Sequence, residues 1–142
     1  MQAQAVNGQW HALLREPDGT EHRVQARALV NAAGPWVARF IRDDLKQDSP
    51  YGIRLIQGSH IVVPRLFDGE QAYILQNEDR RIVFAIPYQE RFTLIGTTDR
   101  EYQGDPAKVT ITDPEIDYLL QVVNAHFKKP LSRSDIVHTY AG

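Results

Sequence analysis

Between residues 60 and 96 the chain carries four short apolar runs, at 60–63, 72–76, 81–87 and 92–96, with turn-like polar spacers at 76–80 and 88–91. This spacing constrains the fold more than any other feature. Runs of this length suit strands, and connections of a few residues join neighbouring strands antiparallel. The last three runs are therefore expected to form an antiparallel meander. Alternation within them is weak, as in Ile82-Val83-Phe84-Ala85-Ile86. Near-continuous apolar strands are usually covered on both faces, so cover on both faces is expected here.

The clearest helix signal follows at 113–128. Thr112 and Glu115 have capping-box spacing, and Asp113 and Glu115 suit the positive end of a helix dipole. Ile116, Leu119, Leu120, Val123 and Phe127 fall on a single apolar stripe, which reads as core. Pro130 ends the helix, and 135–140 returns as a strand. Near the start, 9–15 and 21–27 read as a β-hairpin around Pro17-Asp18-Gly19, where proline presets φ and glycine supplies a positive φ. Residues 28–31 read as a short buried strand broken by Ala32-Ala33-Gly34-Pro35. Residues 36–45 then read as a helix, with Pro35 at its start and Trp36, Val37, Phe40, Ile41 and Leu45 to one side. The polar stretch 46–52 connects two subregions. The fold class is α+β: an antiparallel sheet with flanking helices, preceded by a hairpin and a strand-turn-helix.

Composition narrows the function classes. The net charge of −2 gives no basic field for nucleic acid. No run approaches the length of a membrane-spanning helix. The absence of cysteine excludes disulfides, thiolate zinc sites and thiol catalysis. The polar opening, 1–9, has no apolar core of a secretory signal. A soluble, cytosol-facing domain is expected. Both ends lie close to strand-like segments, so the chain is expected to be a piece of a longer protein.

Chemistry concentrates in 50–64. There His60 stands between the flexible Gly58-Ser59 pair and the apolar strand Ile61-Val62-Val63. An imidazole titrates near neutral pH, which suits a site group at a loop-to-strand junction. A capped structural histidine fits the same pattern. In Val30-Asn31-Ala32-Ala33-Gly34-Pro35-Trp36, small residues let another molecule approach the backbone, and a tight strand-to-helix turn fits equally well. Ile95-Gly96-Thr97-Thr98-Asp99 ends an apolar strand with hydroxyls and a carboxylate. The five histidines lack metal-ligand spacing. His11, His22 and His126 suit the surface, and His138 a structural place. Nucleophile-elbow, phosphate-loop and Gly-x-Gly-x-x-Gly motifs are all absent.

The segment 30–36 resembles the close of the flavin-binding half in the D-amino-acid-oxidase-like superfamily. Within it, 49–56, 58–64, 73–79 and 95–99, continued by Phe127-Lys128-Lys129 and Leu131-Ser132-Arg133, resemble the bacterial aerobic FAD-dependent glycerol-3-phosphate dehydrogenases. The resemblance spans nearly the whole chain and is weakest over 1–25. It implies oxidation of sn-glycerol 3-phosphate to dihydroxyacetone phosphate, with electrons passing through FAD to quinone. It also implies peripheral contact of the parent protein with the inner face of the cytoplasmic membrane, and leaves room for a homodimer. By the same resemblance, residues 1–45 are the tail of the first FAD-binding segment. Residues 46–142 are a substrate-binding cap truncated at its C-terminal end. His60 matches a substrate-pocket histidine, either the base for the C2 hydroxyl or a hydrogen-bond donor to substrate. Thr97 and Thr98 are further substrate-binding candidates. Ala33 and Gly34 match backbone beside the cofactor. No metal is implied.

Two departures from the family pattern stand out. Gln57 occupies a position where the family often has lysine, and the family's substrate-binding arginine lies beyond Gly142. Lacking that arginine and the glycine-rich flavin cradle, the isolated chain is expected neither to hold FAD tightly nor to turn over. Two other readings compete: an amine or amino-acid oxidase of the same superfamily, and a non-catalytic ligand-binding domain.

Overall fold

The structure is a computed structural model that describes residues 2–142. The chain divides into two compact units, Met1–Ile53 and Arg54–Gly142.

The first unit is built on a three-stranded antiparallel sheet of β1 (Gln2–Val6), β2 (Gln9–Arg15) and β3 (Glu21–Ala26), in that order. Asn7 and Gly8, both with positive φ, turn β1 into β2, which is the dihedral demand of the tightest hairpin turn. The β2–β3 hairpin closes where Pro17-Asp18-Gly19 foretells it. The Asp18 carboxylate accepts from Thr20 N–H at 2.8 Å, and Gly19 N–H donates to Glu16 O at 3.0 Å. Beyond β3 the structure departs from expectation. Residues 28–31 form no strand, and Val30 is 84% exposed. Apolar content alone does not make a strand, and no strand of this unit runs beside the segment to accept its backbone hydrogen bonds. The side chain of Asn31 orders the turn instead, donating to Val37 O at 3.1 Å and accepting from Ala33 N–H at 3.2 Å. The helix expected at 36–45 is present but irregular. A 3₁₀ turn at Gly34–Trp36 leads into the α turn α1 (Val37–Arg39) and a π turn at Phe40–Asp44. Phe40 is the residue it buries.

The second unit holds a five-stranded antiparallel sheet, ordered β10-β5-β8-β7-β6, and one long helix. Its strands are β5 (Ser59–Pro64), β6 (Tyr73–Gln76), β7 (Ile82–Tyr88), β8 (Phe92–Gly96) and β10 (His138–Ala141). The expected meander is the β6-β7-β8 portion. A small ribbon pairs β4 (Ile56–Gln57) with β9 (Arg100–Glu101). The helix α2 (Asp113–His126) stops slightly short of the expected end, because Phe127 is already extended. Leu119 and Val123 are fully buried against Ile61, Val63, Val83 and Ile95 of the sheet.

Cover on both faces is not what the strands of this unit have. Along β7, Val83 and Ala85 are buried, whereas Ile82, Phe84 and Ile86 alternate with them and are exposed, Phe84 at 37%. A continuous apolar run still alternates in space, and α2 packs on one side. Ile74, Phe84, Ile86 and Tyr88 thus make an open apolar face.

Because Leu119 is sealed in the core, Leu119→Ala should lower stability by about 2–5 kcal/mol, whereas exposed Val30→Ala should change it by less than about 0.5 kcal/mol. Urea denaturation of the two variants and the parent protein measures both.

Candidate functional site

Strand β5 sets the site. Side chains alternate along it, so Ser59 and Ile61 face the α2 side and His60 faces the open side. Strand pairing puts His60 in a row across the sheet: Tyr140, His60, Gly96, Phe84, Ile74. The imidazole stacks on the Tyr140 ring, with centroids 4.8 Å apart and planes 5° from parallel. On its other side lies Gly96, where a Cβ would overlap the imidazole. Glycine at 96 is therefore a condition of the ring's position.

His60 Nδ1 is buried with no hydrogen-bond partner among the described residues. Burial also lowers the imidazole's affinity for a proton below the ordinary value of 6.5. Burial thus favours the neutral ring, the form that can accept a proton from a hydroxyl group.

Beneath this row is a buried polar cluster. Glu115, in the first turn of α2, is 6% exposed. Its Oε2 accepts from Thr112 N–H at 2.9 Å and the Thr112 hydroxyl at 2.7 Å. Its Oε1 accepts from the Ser59 hydroxyl and the Thr98 hydroxyl, each at 2.8 Å. Gln57 Nε2 lies within donating distance of both oxygens, at 3.2 and 3.0 Å. Thr98 Oγ1 in turn accepts from Ser59 N–H at 2.9 Å. Burial pushes the Glu115 carboxyl up, but hydrogen bonds from Thr112, Ser59 and Thr98 outweigh it and hold the group below 4.5.

These positions revise the expectation for Thr98. At 3% exposure, with its hydroxyl donating to Glu115, it braces the site from below and does not face the open side. Thr97 is half-buried and donates to the Thr98 carbonyl at 2.9 Å. Gln57 is the amide donor of the cluster. Ala33 and Gly34 belong to the first unit. Gly34 has φ +52° and nothing within 4 Å of the place a Cβ would occupy, so another molecule has room against its backbone. Among the other histidines, His22 pairs with Glu16 at 2.8 Å on the surface, and His126 Nδ1 lies 2.8 Å from Val122 O. No group of side chains suited to hold a metal ion occurs among the described residues.

Sequence reasoning singles out His60 as a candidate and does not foresee Tyr140, Gly96 and Glu115 around it. One local signal is available, since a glycine inside a strand marks a close approach.

The FAD dependent oxidoreductase (DAO) family matches residues 2–142. The chain is 71% identical over 140 residues to the glycerol-3-phosphate dehydrogenase of Pseudomonas aeruginosa, an alignment covering 99% of this chain and 27% of that protein. It is 59% identical over 141 residues to the aerobic glycerol-3-phosphate dehydrogenase of Escherichia coli, covering 99% and 28%. Among solved structures, the glycerol-3-phosphate dehydrogenase from Bacillus halodurans complexed with FAD is similar with a TM-score of 0.81 and 33% identity, over all of this chain and 29% of that one. The chain thus spans little more than a quarter of the length of these relatives.

Glu115 makes stability depend on acid. Its folded carboxyl titrates below 4.5, so at lower pH the unfolded chain takes up a proton that the folded one resists. The contribution is complete above 4.5 and disappears as pH falls through the lowered value. Glu115→Gln should therefore flatten the loss of stability between pH 5 and pH 3, as read by denaturation at a series of pH values.

Proposed function

The chain belongs to the FAD dependent oxidoreductase family, and we propose that it is part of an enzyme that oxidises sn-glycerol 3-phosphate to dihydroxyacetone phosphate. The observation that carries this reading is its near-complete alignment, at high identity, with proteins named for that activity. The geometry around His60 supports it independently.

Oxidising a secondary alcohol to a ketone removes a hydrogen with its electron pair from C2 and a proton from the C2 hydroxyl. FAD, when bound, supplies the two-electron acceptor. The proton is the task of the chain's own residues. A general base works best unprotonated at the working pH and within hydrogen-bond reach of the hydroxyl. Burial favours the first condition for His60, and no described residue bonds its Nδ1. Tyr140 and Gly96 hold the ring flat in the row, and the open apolar face beside it excludes water once covered. For the cofactor, the room at Gly34 and the adjoining Ala33 fit backbone that lies against FAD.

Under the same reading, residues 1–45 contribute to the cofactor domain and residues 46–142 are the substrate cap. Electrons leave to quinone at the inner face of the cytoplasmic membrane. Contact with that membrane would lie outside the described residues, among which no helix is long and apolar enough to cross it.

The full gene product should reduce a quinone analogue when given glycerol 3-phosphate. Activity with an amino acid and none with glycerol 3-phosphate would reverse the assignment in favour of an amine or amino-acid oxidase. His60→Ala should retain flavin and lower kcat by about 10²–10⁴-fold, the usual contribution of a general base. Turnover near that of the parent protein would make His60 a packing residue. The profile of kcat/KM against pH should have an acid limb below 6.5, because a protonated imidazole accepts no proton. His60→Ala should lack that limb.

A further inference from the structure

Glu115 does more than cap a helix. A capping box needs the N3 side chain only to accept from the N-cap backbone, and Oε2 does this through Thr112 N–H. Oε1 serves no helix group. It accepts from Ser59 and Thr98, which come from two other stretches of the chain. Ser59 directly precedes His60. Thr98 lies two residues after Gly96, the residue on which the His60 ring rests. Ser59 N–H donating to Thr98 Oγ1 closes the triangle, and Gln57 Nε2 adds a third stretch by also donating toward Thr110 O at 3.0 Å.

A buried charge is a poor way to add stability, since an apolar side chain of similar volume does as well or better. It is a good way to fix geometry, because an ionised carboxylate makes short, directional hydrogen bonds to several donors at once. His60 has no such bond of its own. Its ring is placed by stacking and by the missing Cβ at Gly96, so its orientation depends on how firmly the backbone at 59–60 and 96–98 is held.

We propose that Glu115 is the positioning residue for His60, its Oε1 locking the strand ends that carry the imidazole and its glycine seat. The inference rests on the glycerol 3-phosphate reading and names the residue on which that site's geometry depends.

The test is a double-mutant cycle in the flavin-loaded full gene product. Glu115→Gln keeps shape but replaces one acceptor oxygen with a donor that faces donors. It should lower kcat at least tenfold with KM within about twofold, a split that marks loss of transition-state positioning, and with the flavin-to-protein ratio unchanged. In a His60→Ala background the same change should lower kcat less than twofold, because a residue acting through His60 has nothing left to position. If Glu115→Gln slows His60→Ala as much as it slows the parent protein, or leaves the parent's kcat unchanged, the inference fails. Should Glu115→Gln not fold, by thermal melting and flavin absorbance, Thr98→Val takes its place in the cycle, and the same results uphold or overturn the inference. Leu120→Ala, a core change on α2, provides the stability control. If it matches the melting loss of Glu115→Gln and also matches its loss of kcat, general destabilisation accounts for the effect and the inference falls. A parent protein inert toward glycerol 3-phosphate defeats the functional reading and this inference together. An active parent with an unaffected Glu115→Gln defeats the inference alone.

Discussion

One helix lies against one face of a five-stranded sheet, and the second unit takes its form from that contact. Leu119 and Val123 of α2 meet Ile61, Val63, Val83 and Ile95 with no exposure to solvent. Each such side chain contributes roughly 1.5–3 kcal/mol by leaving water, so this layer dominates the unit's stability. A sheet has two faces, however, and the unit has one long helix. Strand alternation sends Ser59 and Ile61 into the covered layer and His60 to the open one. The candidate base thus stands half-buried on a surface backed by the fully buried α2 layer.

The same alternation determines which polar groups can act together. Ser59 and Thr98 point under the sheet and reach the first turn of α2, where Glu115 gathers them. His60 and Tyr140 point over it and meet ring to ring. A shift of one residue in the β5 register would exchange these sets, burying the imidazole against α2 and exposing the hydroxyl. Packing and chemistry in this unit are therefore two consequences of one register.

What can be read in the sequence follows from how local each signal is. Helix α2 is legible because its cap, stripe and stop lie in one stretch, Thr112 to Pro130. The strands of the meander are legible from their spacing. Strand β1 is not, although Asn7-Gly8 is a strong hairpin turn signal, because Gln2–Val6 alternates small and polar residues with no apolar run. The strand expected at 28–31 rests on hydrophobicity alone, which says nothing about a pairing partner. Cover on both faces fails for a similar reason: an unbroken apolar run does not say which of its alternate residues will find a neighbour. At the site, His60 is visible as a glycine-serine to strand junction. Glu115 is visible only as a capping residue, since its bond to Ser59 joins positions 56 apart in sequence. Thr98 looks like a strand-end hydroxyl open to substrate, and only the tertiary fold turns it inward.

A histidine that acts as a base is often oriented by a hydrogen bond to its second nitrogen, which also sets the tautomer. His60 is held differently. A stacked ring contact is worth about 0.5–1.5 kcal/mol and is less directional than a hydrogen bond. The glycine floor excludes wrong positions without attracting the ring to the right one. Nothing in this arrangement raises the imidazole's basicity, and burial lowers it, so the neutral form is favoured and Nδ1 has no partner among the described residues. The directional constraint that the ring lacks is supplied by the backbone on either side of it. The Ser59 and Thr98 hydroxyls of those stretches donate to a carboxylate the open face never meets, and Ser59 N–H donates to Thr98 Oγ1. Separating the group that reacts from the group that orders it lets the first remain free of partners while the second is fully bonded.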